Sequence, residues 1–118
     1  MHRDAWRKLN SYPVPRRGPA ACALDDNWIL IGGGYGKLKS GDDGFSDEAF
    51  LYSVAEDTYQ PFLPLPYAVI CPGMIKHKNR IYILGGEDLM KHRSTGFYFL
   101  EPTRYKRGQR YVIASQPR

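Results

Sequence analysis

An internal repeat constrains this chain more than any other feature, because a fold made of copies of one short unit has few ways to bury both faces of that unit. Asn27-Trp28-Ile29-Leu30-Ile31-Gly32-Gly33-Gly34 aligns without a gap with Asn79-Arg80-Ile81-Tyr82-Ile83-Leu84-Gly85-Gly86, an offset of 52. Asp47-Glu48-Ala49-Phe50-Leu51-Tyr52 aligns with Ser94-Thr95-Gly96-Phe97-Tyr98-Phe99 at an offset of 47, as though the second copy had lost five residues after its glycine pair. Trp6-x-x-Leu9 aligns with Tyr59-x-x-Phe62 at an offset of 53, and each leads into prolines (Pro13 and Pro15; Pro64 and Pro66).

Each copy reads as about four short strands. Residues 17–24 are a run of small side chains closed by turn chemistry at Asp25-Asp26-Asn27. Residues 28–31 form a β-rich run ending in glycines, whose missing Cβ permits positive φ and close backbone approach. A polar loop over 36–46 leads to strands at 49–54 and 58–62, separated by the turn Glu56-Asp57. The second copy gives 69–76, 80–84 and 96–100, with Tyr111-Val112-Ile113-Ala114 as the candidate fourth strand. No segment sustains a 3.6-residue period. Nine Tyr, five Phe, two Trp, 12 Gly and nine Pro agree with short strands and tight turns. With 42% apolar and 25% charged residues, disordered and fibrous classes are excluded.

Four antiparallel strands repeated in this way, with a glycine pair after the second and an aromatic in the fourth, describe a propeller blade. On these residues the sequence resembles the kelch-repeat family. Gly33-Gly34 and Gly85-Gly86 look like its glycine doublet, Tyr52 and Trp6/Tyr59 like its spaced aromatics, and Arg16-Arg17-Gly18-x-Ala20-Ala21 like its first-strand entry. The resemblance implies an all-β fold of two four-stranded antiparallel kelch-type blades, an incomplete β-propeller. Residues 1–15 are then a fourth strand for a preceding or partner blade, 16–66 the first blade, and 67–118 the second blade with a basic tail. Two blades leave apolar sheet faces uncovered. The expected states are a truncated piece of a longer propeller, a homo-trimer of six blades, or a poorly stable monomer. Trp6-Arg7-Lys8-Leu9 favours assembly, since it would complete another chain's last blade.

Several familiar chemistries are set aside. Gly32-Gly33-Gly34-Tyr35-Gly36-Lys37 fails as a phosphate loop, because position 31 is Ile, Leu38 follows the lysine and no helix comes next. His2, His77 and His92 do not cluster, and Ser40-Gly41-Asp42-Asp43-Gly44-Phe45-Ser46-Asp47 lacks the spacing of a calcium loop. No metal and no cofactor are expected. Cys22 and Cys71, each in small or apolar company, read as buried reduced thiols. The net charge of +5 belongs to the tail: from Pro102 onward come Arg104, Lys106, Arg107, Arg110 and Arg118 with no acid. That tail mixes cations with Tyr105 and Tyr111, but a solvated terminus is favoured over nucleic-acid contact. No run nears the roughly 18 apolar residues of a membrane span. The first residues also lack an apolar core, so a cytoplasmic protein is expected.

The segment Gly85-Gly86-Glu87-Asp88-Leu89-Met90-Lys91-His92-Arg93-Ser94-Thr95 carries the chemistry. A carboxylate follows the strand-ending glycines, and six residues later an Arg stands where it could grip an anion. This stretch resembles the sialic-acid mutarotases (N-acetylneuraminate epimerases), kelch propellers with a Gly-Glu-x5-Arg-[Ser/Thr] signature. The resemblance implies that Glu87 transfers protons and that Arg93 holds the carboxylate of a small anionic sugar. Lys91, His92 and Tyr35 are the candidate substrate-binding residues. A Glu87–Arg93 ion pair bracing the loop is the structural alternative, and a non-enzymatic protein-interaction module the functional one.

Overall fold

A computed structural model describes residues 4–104 and 111–113. Every regular element among them is a β-strand. The first blade holds β1 (Ala20–Ala23), β2 (Trp28–Gly32), β3 (Tyr35–Lys37), β4 (Asp43–Phe45), β5 (Ala49–Ser53) and β6 (Thr58–Phe62). Its sheet runs β1-β2-β5-β6, all antiparallel, and β3 and β4 form a separate hairpin between the second and third sheet strands. Asp25 closes the first turn by accepting the backbone N–H groups of Asn27 and Trp28, both at 2.8 Å.

The second blade repeats this with β7 (Gly73–His77), β8 (Arg80–Leu84), β9 (Glu87–Leu89), β10 (His92–Arg93) and β11 (Phe97–Leu100). Its sheet runs β11-β8-β7, and β9-β10 is the intervening hairpin. The blade-type architecture is therefore as expected, but the fourth strand differs. Tyr111–Ile113 is a strand (β13), yet it pairs with β12 (Pro102–Arg104) instead of extending the sheet beyond β11. Among the described residues the second blade has three sheet strands, and Ala114 lies outside the described residues.

The two polar loops also differ from expectation, since each is a short hairpin. Strands of two or three residues show no apolar alternation by which a sequence could betray them. Hydrogen bonding corrects the third-strand alignment as well. The N–H of Ser46 donates to Gly34 O and that of Ser94 to Gly86 O, both at 2.8 Å, while Gly33 N donates to Glu48 O and Gly85 N to Gly96 O, both at 3.0 Å. Ala49 thus corresponds to Phe97, an offset of 48 in place of 47.

The glycines dock each hairpin against the chain entering its blade. Gly34 and Gly86 adopt φ of +105° and +85°. A Cβ on Gly34 would lie 3.0 Å from Arg17 O, and one on Gly86 would lie 2.5 Å from Val69 Cγ2 and 2.8 Å from Ile70 O. Side chains are excluded at both places by the same neighbour positions.

The core lies between the blades. Leu30 and Leu51 of the first sheet meet Ile81 and Ile83 of the second, with Leu65 and Val69 of the connecting segment between them. Each such side chain contributes about 1.5–3 kcal/mol by leaving water. Alternation then turns Ile75, Leu84 and Phe97 outward, where they stay exposed. On the far side of the first sheet, Tyr12 packs edge-on against Phe50 (5.4 Å) and Tyr59 (5.8 Å). Burial pushes its hydroxyl pKa up to about 12. Before it, Asn10 is pinned by Asp57 through both its backbone N–H and its side chain. Residues 4–15 contain no strand, and Trp6 and Leu9 stand exposed.

The cysteines depart from the buried reading. Cys22 is half-buried, with its pKa pushed up to about 11, chiefly by burial, against the pull of Lys76. Cys71 is exposed and takes φ of +52° where the first blade has Gly18 at +73°. Burial and the raised pKa both hold back the Cys22 thiolate, which is the reacting form. Iodoacetamide should therefore label Cys71 more than about tenfold faster than Cys22, as read by peptide mass spectrometry; equal rates would contradict the burial.

Candidate functional site

Glu87 begins β9, directly after the glycine pair, and its backbone is clamped on the entering chain. Its N–H donates to Ile70 O at 3.0 Å and its carbonyl accepts from Ile70 N at 2.8 Å. Lys91 occupies the hairpin turn with φ of +61° and donates its N–H to Glu87 Oε2 at 3.1 Å. Leu89 pairs with His92 and Glu87 with Arg93, so Asp88 is the extra residue of a β-bulge. That bulge sets the site. A regular ladder would put Arg93 opposite Asp88; the extra residue puts it opposite Glu87.

Across this register Arg93 Nη1 lies 3.9 Å from Glu87 Oε1, at the outer limit of an ion pair, and the Arg93 side chain is 83% exposed. Such a pair contributes less than about 1 kcal/mol. The backbone ladder, and not the ion pair, holds the hairpin, and the guanidinium keeps most of its donors open. His92 Nδ1 meets Asp88 Oδ1, so the imidazole already has a carboxylate partner within the hairpin. Lys91 is exposed.

Tyr35 holds, in the first blade, the position that Glu87 holds in the second. It exchanges two backbone hydrogen bonds with Arg17, both at 2.8 Å, as Glu87 does with Ile70. Its ring packs edge-on against Phe45 (5.4 Å) and beneath the Arg17 guanidinium (5.0 Å). Among the described residues these contacts are to its own hairpin and to the chain entering its blade. The structure thus brings Glu87, Lys91 and Arg93 together, ties His92 to Asp88, and places Tyr35 at the equivalent position of the neighbouring blade.

A second polar cluster escaped the sequence reading. The Arg16 side chain is 3% exposed and donates from Nη2 to Glu48 Oε1 (3.1 Å) and from Nη1 to Lys37 O (2.7 Å). Lys39 Nζ approaches the same carboxylate at 3.7 Å. Arg16, Lys39 and Glu48 line a cleft of about 450 Å³ with Ser40, Phe45 and Asp47. A signal was present: Arg16 and Glu48 stand where the second blade has Val69 and Gly96, so both are departures from the repeat.

No family model matches the chain. It is 26% identical over 86 residues to N-acetylneuraminate epimerase of Haemophilus influenzae (strain 86-028NP), covering 71% of this chain and 23% of that protein. It is 29% identical over 82 residues to Kelch-like protein 40a of Danio rerio, covering 70% and 13%. Among solved structures, that of YjhT superposes with a TM-score of 0.64 at 21% identity, over 75% of this chain and 26% of that one. The chain therefore spans about a quarter or less of the curated relatives it matches. Repeat, fold and these likenesses converge on one statement: the chain is all-β, built of blade-like antiparallel sheets, and over about 70% of its length it is similar to kelch-type proteins.

Proposed function

We propose that these two blades belong to a propeller acting as a mutarotase on a small anionic sugar, with the β9–β10 rim as its reacting edge. The observation that carries the reading is the bulged register, which sets Glu87 opposite a loosely paired, largely exposed Arg93. Similarity over 71% of the chain to a protein named N-acetylneuraminate epimerase supports it.

The chemistry follows from these groups. Arg93 offers two parallel N–H donors that match the sugar's planar carboxylate. Glu87 takes the anomeric hydroxyl proton as the bond between the anomeric carbon and the ring oxygen breaks and passes it to the freed ring oxygen, leaving a carbonyl and a hydroxyl. Rotation about the bond next to the carbonyl and closure on its other face, with the proton transfers reversed, yields the other anomer. Lys91 adds a second cation at the turn, and Asp88 keeps His92 oriented.

Exchange NMR of N-acetylneuraminate tests this. The chain should accelerate anomer exchange, and Glu87→Gln should lower the acceleration by about 10²- to 10³-fold. An exchange rate unchanged by the chain would overturn the proposal.

The competing reading is a protein-binding module, favoured by the similarity to Kelch-like protein 40a. It expects Glu87→Gln to be silent and charge reversals across both hairpins to abolish partner binding. The basic-tail residues at 105–110 and 114–118 lie outside the described residues.

A further inference from the structure

We infer that residues 5–9 of a second copy of this chain pair, as a fourth strand, with the edge of β11 that no strand borders among the described residues. In the first blade β6 lies beside β5, with Tyr52 opposite Tyr59 and Ala49 opposite Phe62. In the second blade β11 bonds to β8 on one side, and no strand borders its other side among the described residues. An unpaired strand edge is a row of donors and acceptors ready for another chain.

The complementary piece is in the sequence. Trp6-Arg7-Lys8-Leu9 repeats the spacing of Tyr59-Gln60-Pro61-Phe62, the strand that fills this place in the first blade. Its side chains are unsheltered: Trp6 is fully exposed and Leu9 more than half exposed. The arm nevertheless has a fixed root, because Asn10 is held by Asp57 and its carbonyl accepts from the Tyr59 hydroxyl at 3.0 Å.

The root also decides which copy is served. Tyr12 packs on Phe50, whereas the next residue, Leu51, points into the core shared with the second blade. Neighbouring strand residues face opposite ways. The arm therefore leaves from the face of the first blade turned away from its own β11, and a second copy must receive it. The contact is head-to-tail, so it closes as a ring or runs on as a filament. A ring of three copies would hold six blades, two from each.

The repeat fixes the register. With the hydrogen-bonded offset of 48 for the third strand, Trp6 of the donor falls opposite Leu100, Lys8 opposite Tyr98 and Leu9 opposite Phe97. Tyr98 and Leu100 line a small apolar gap of about 60 Å³ between the blades, shared with Leu30, Phe62, Ile81 and Ile83. Opposed residues of antiparallel strands share a face, so the Trp6 indole would arrive on the side of that gap.

Sedimentation velocity over a concentration series tests the association. The chain should self-associate, and Trp6→Asp combined with Leu9→Asp should weaken the dissociation constant by about 100-fold or more. Disulfide trapping tests the register in a Cys22→Ala, Cys71→Gly background. One double variant carries Lys8→Cys with Tyr98→Cys, the other Leu9→Cys with Phe97→Cys. Adjacent antiparallel pairs alternate between wide and close, so one of these two pairs is the close kind. It should give a cross-linked dimer on a non-reducing gel, whereas the shifted pair Lys8→Cys with Leu100→Cys should not. A monomer at every concentration, association indifferent to the arm variants, or trapping only in the shifted pair would each overturn the inference.

Discussion

Gly86→Ala should lower the thermal unfolding midpoint by roughly 15 °C, from a loss of about 3–4 kcal/mol. Two costs add. A residue with a Cβ is held at φ of +85°, and that Cβ has nowhere to go. Val69, 2.5 Å away, is wholly buried, and Ile70 O, 2.8 Å away, is fixed by accepting the Glu87 N–H. Gly85→Ala separates the two costs. Its φ is +68°, but nothing lies within 4 Å of the added carbon, so only the backbone term of about 1 kcal/mol applies. Equal midpoint shifts for the two variants would show that the docking of hairpin on entry strand has been misjudged.

Glu48→Gln should cost about 2–3 kcal/mol in urea unfolding. The loss is that of the neighbour: Arg16, with 3% of its side chain exposed, would keep a buried positive charge facing a neutral amide. The figure falls below the usual cost of a broken buried pair because Glu48 is 23% exposed and water reaches it. Removing both charges, as Arg16→Met with Glu48→Leu, should bring stability back to within about 1 kcal/mol of the parent. A double variant as unstable as the single one would mean that Arg16 matters for its shape and its bonds to Lys37 O and Pro15 O instead.

What the sequence revealed was what local chemistry writes plainly. The Asn-to-glycine segments were legible because turn residues and glycines are dictated by backbone geometry, and strand 80–84 matched β8 residue for residue. The third-strand offset was misread because two aromatics, Phe50 and Phe97, invite alignment. The true marker is the serine whose Oγ accepts the N–H two residues on, Ser46 for Glu48 and Ser94 for Gly96. Tyr111–Ile113 was legible as a strand, but its partner depends on tertiary competition that propensity does not encode. In the candidate site, the Glu87 to Arg93 spacing drew notice, yet what opposes them is a bulge, and a bulge leaves no mark in hydrophobic pattern. The Asp88 contact to His92 was hidden for the same reason.

Val69 and Ile70 stitch the two sheets through their main chain, while the Val69 side chain fills the core between them: Val69 O receives the N–H of Gly34, and Ile70 clasps Glu87. The backbone clasp at Ile70 asks nothing of the side chain seated in it. The same main-chain socket occurs in both blades, at Arg17 and at Ile70, and it seats tyrosine in one sheet and glutamate in the other. New chemistry at such a rim needs one codon, not a new loop.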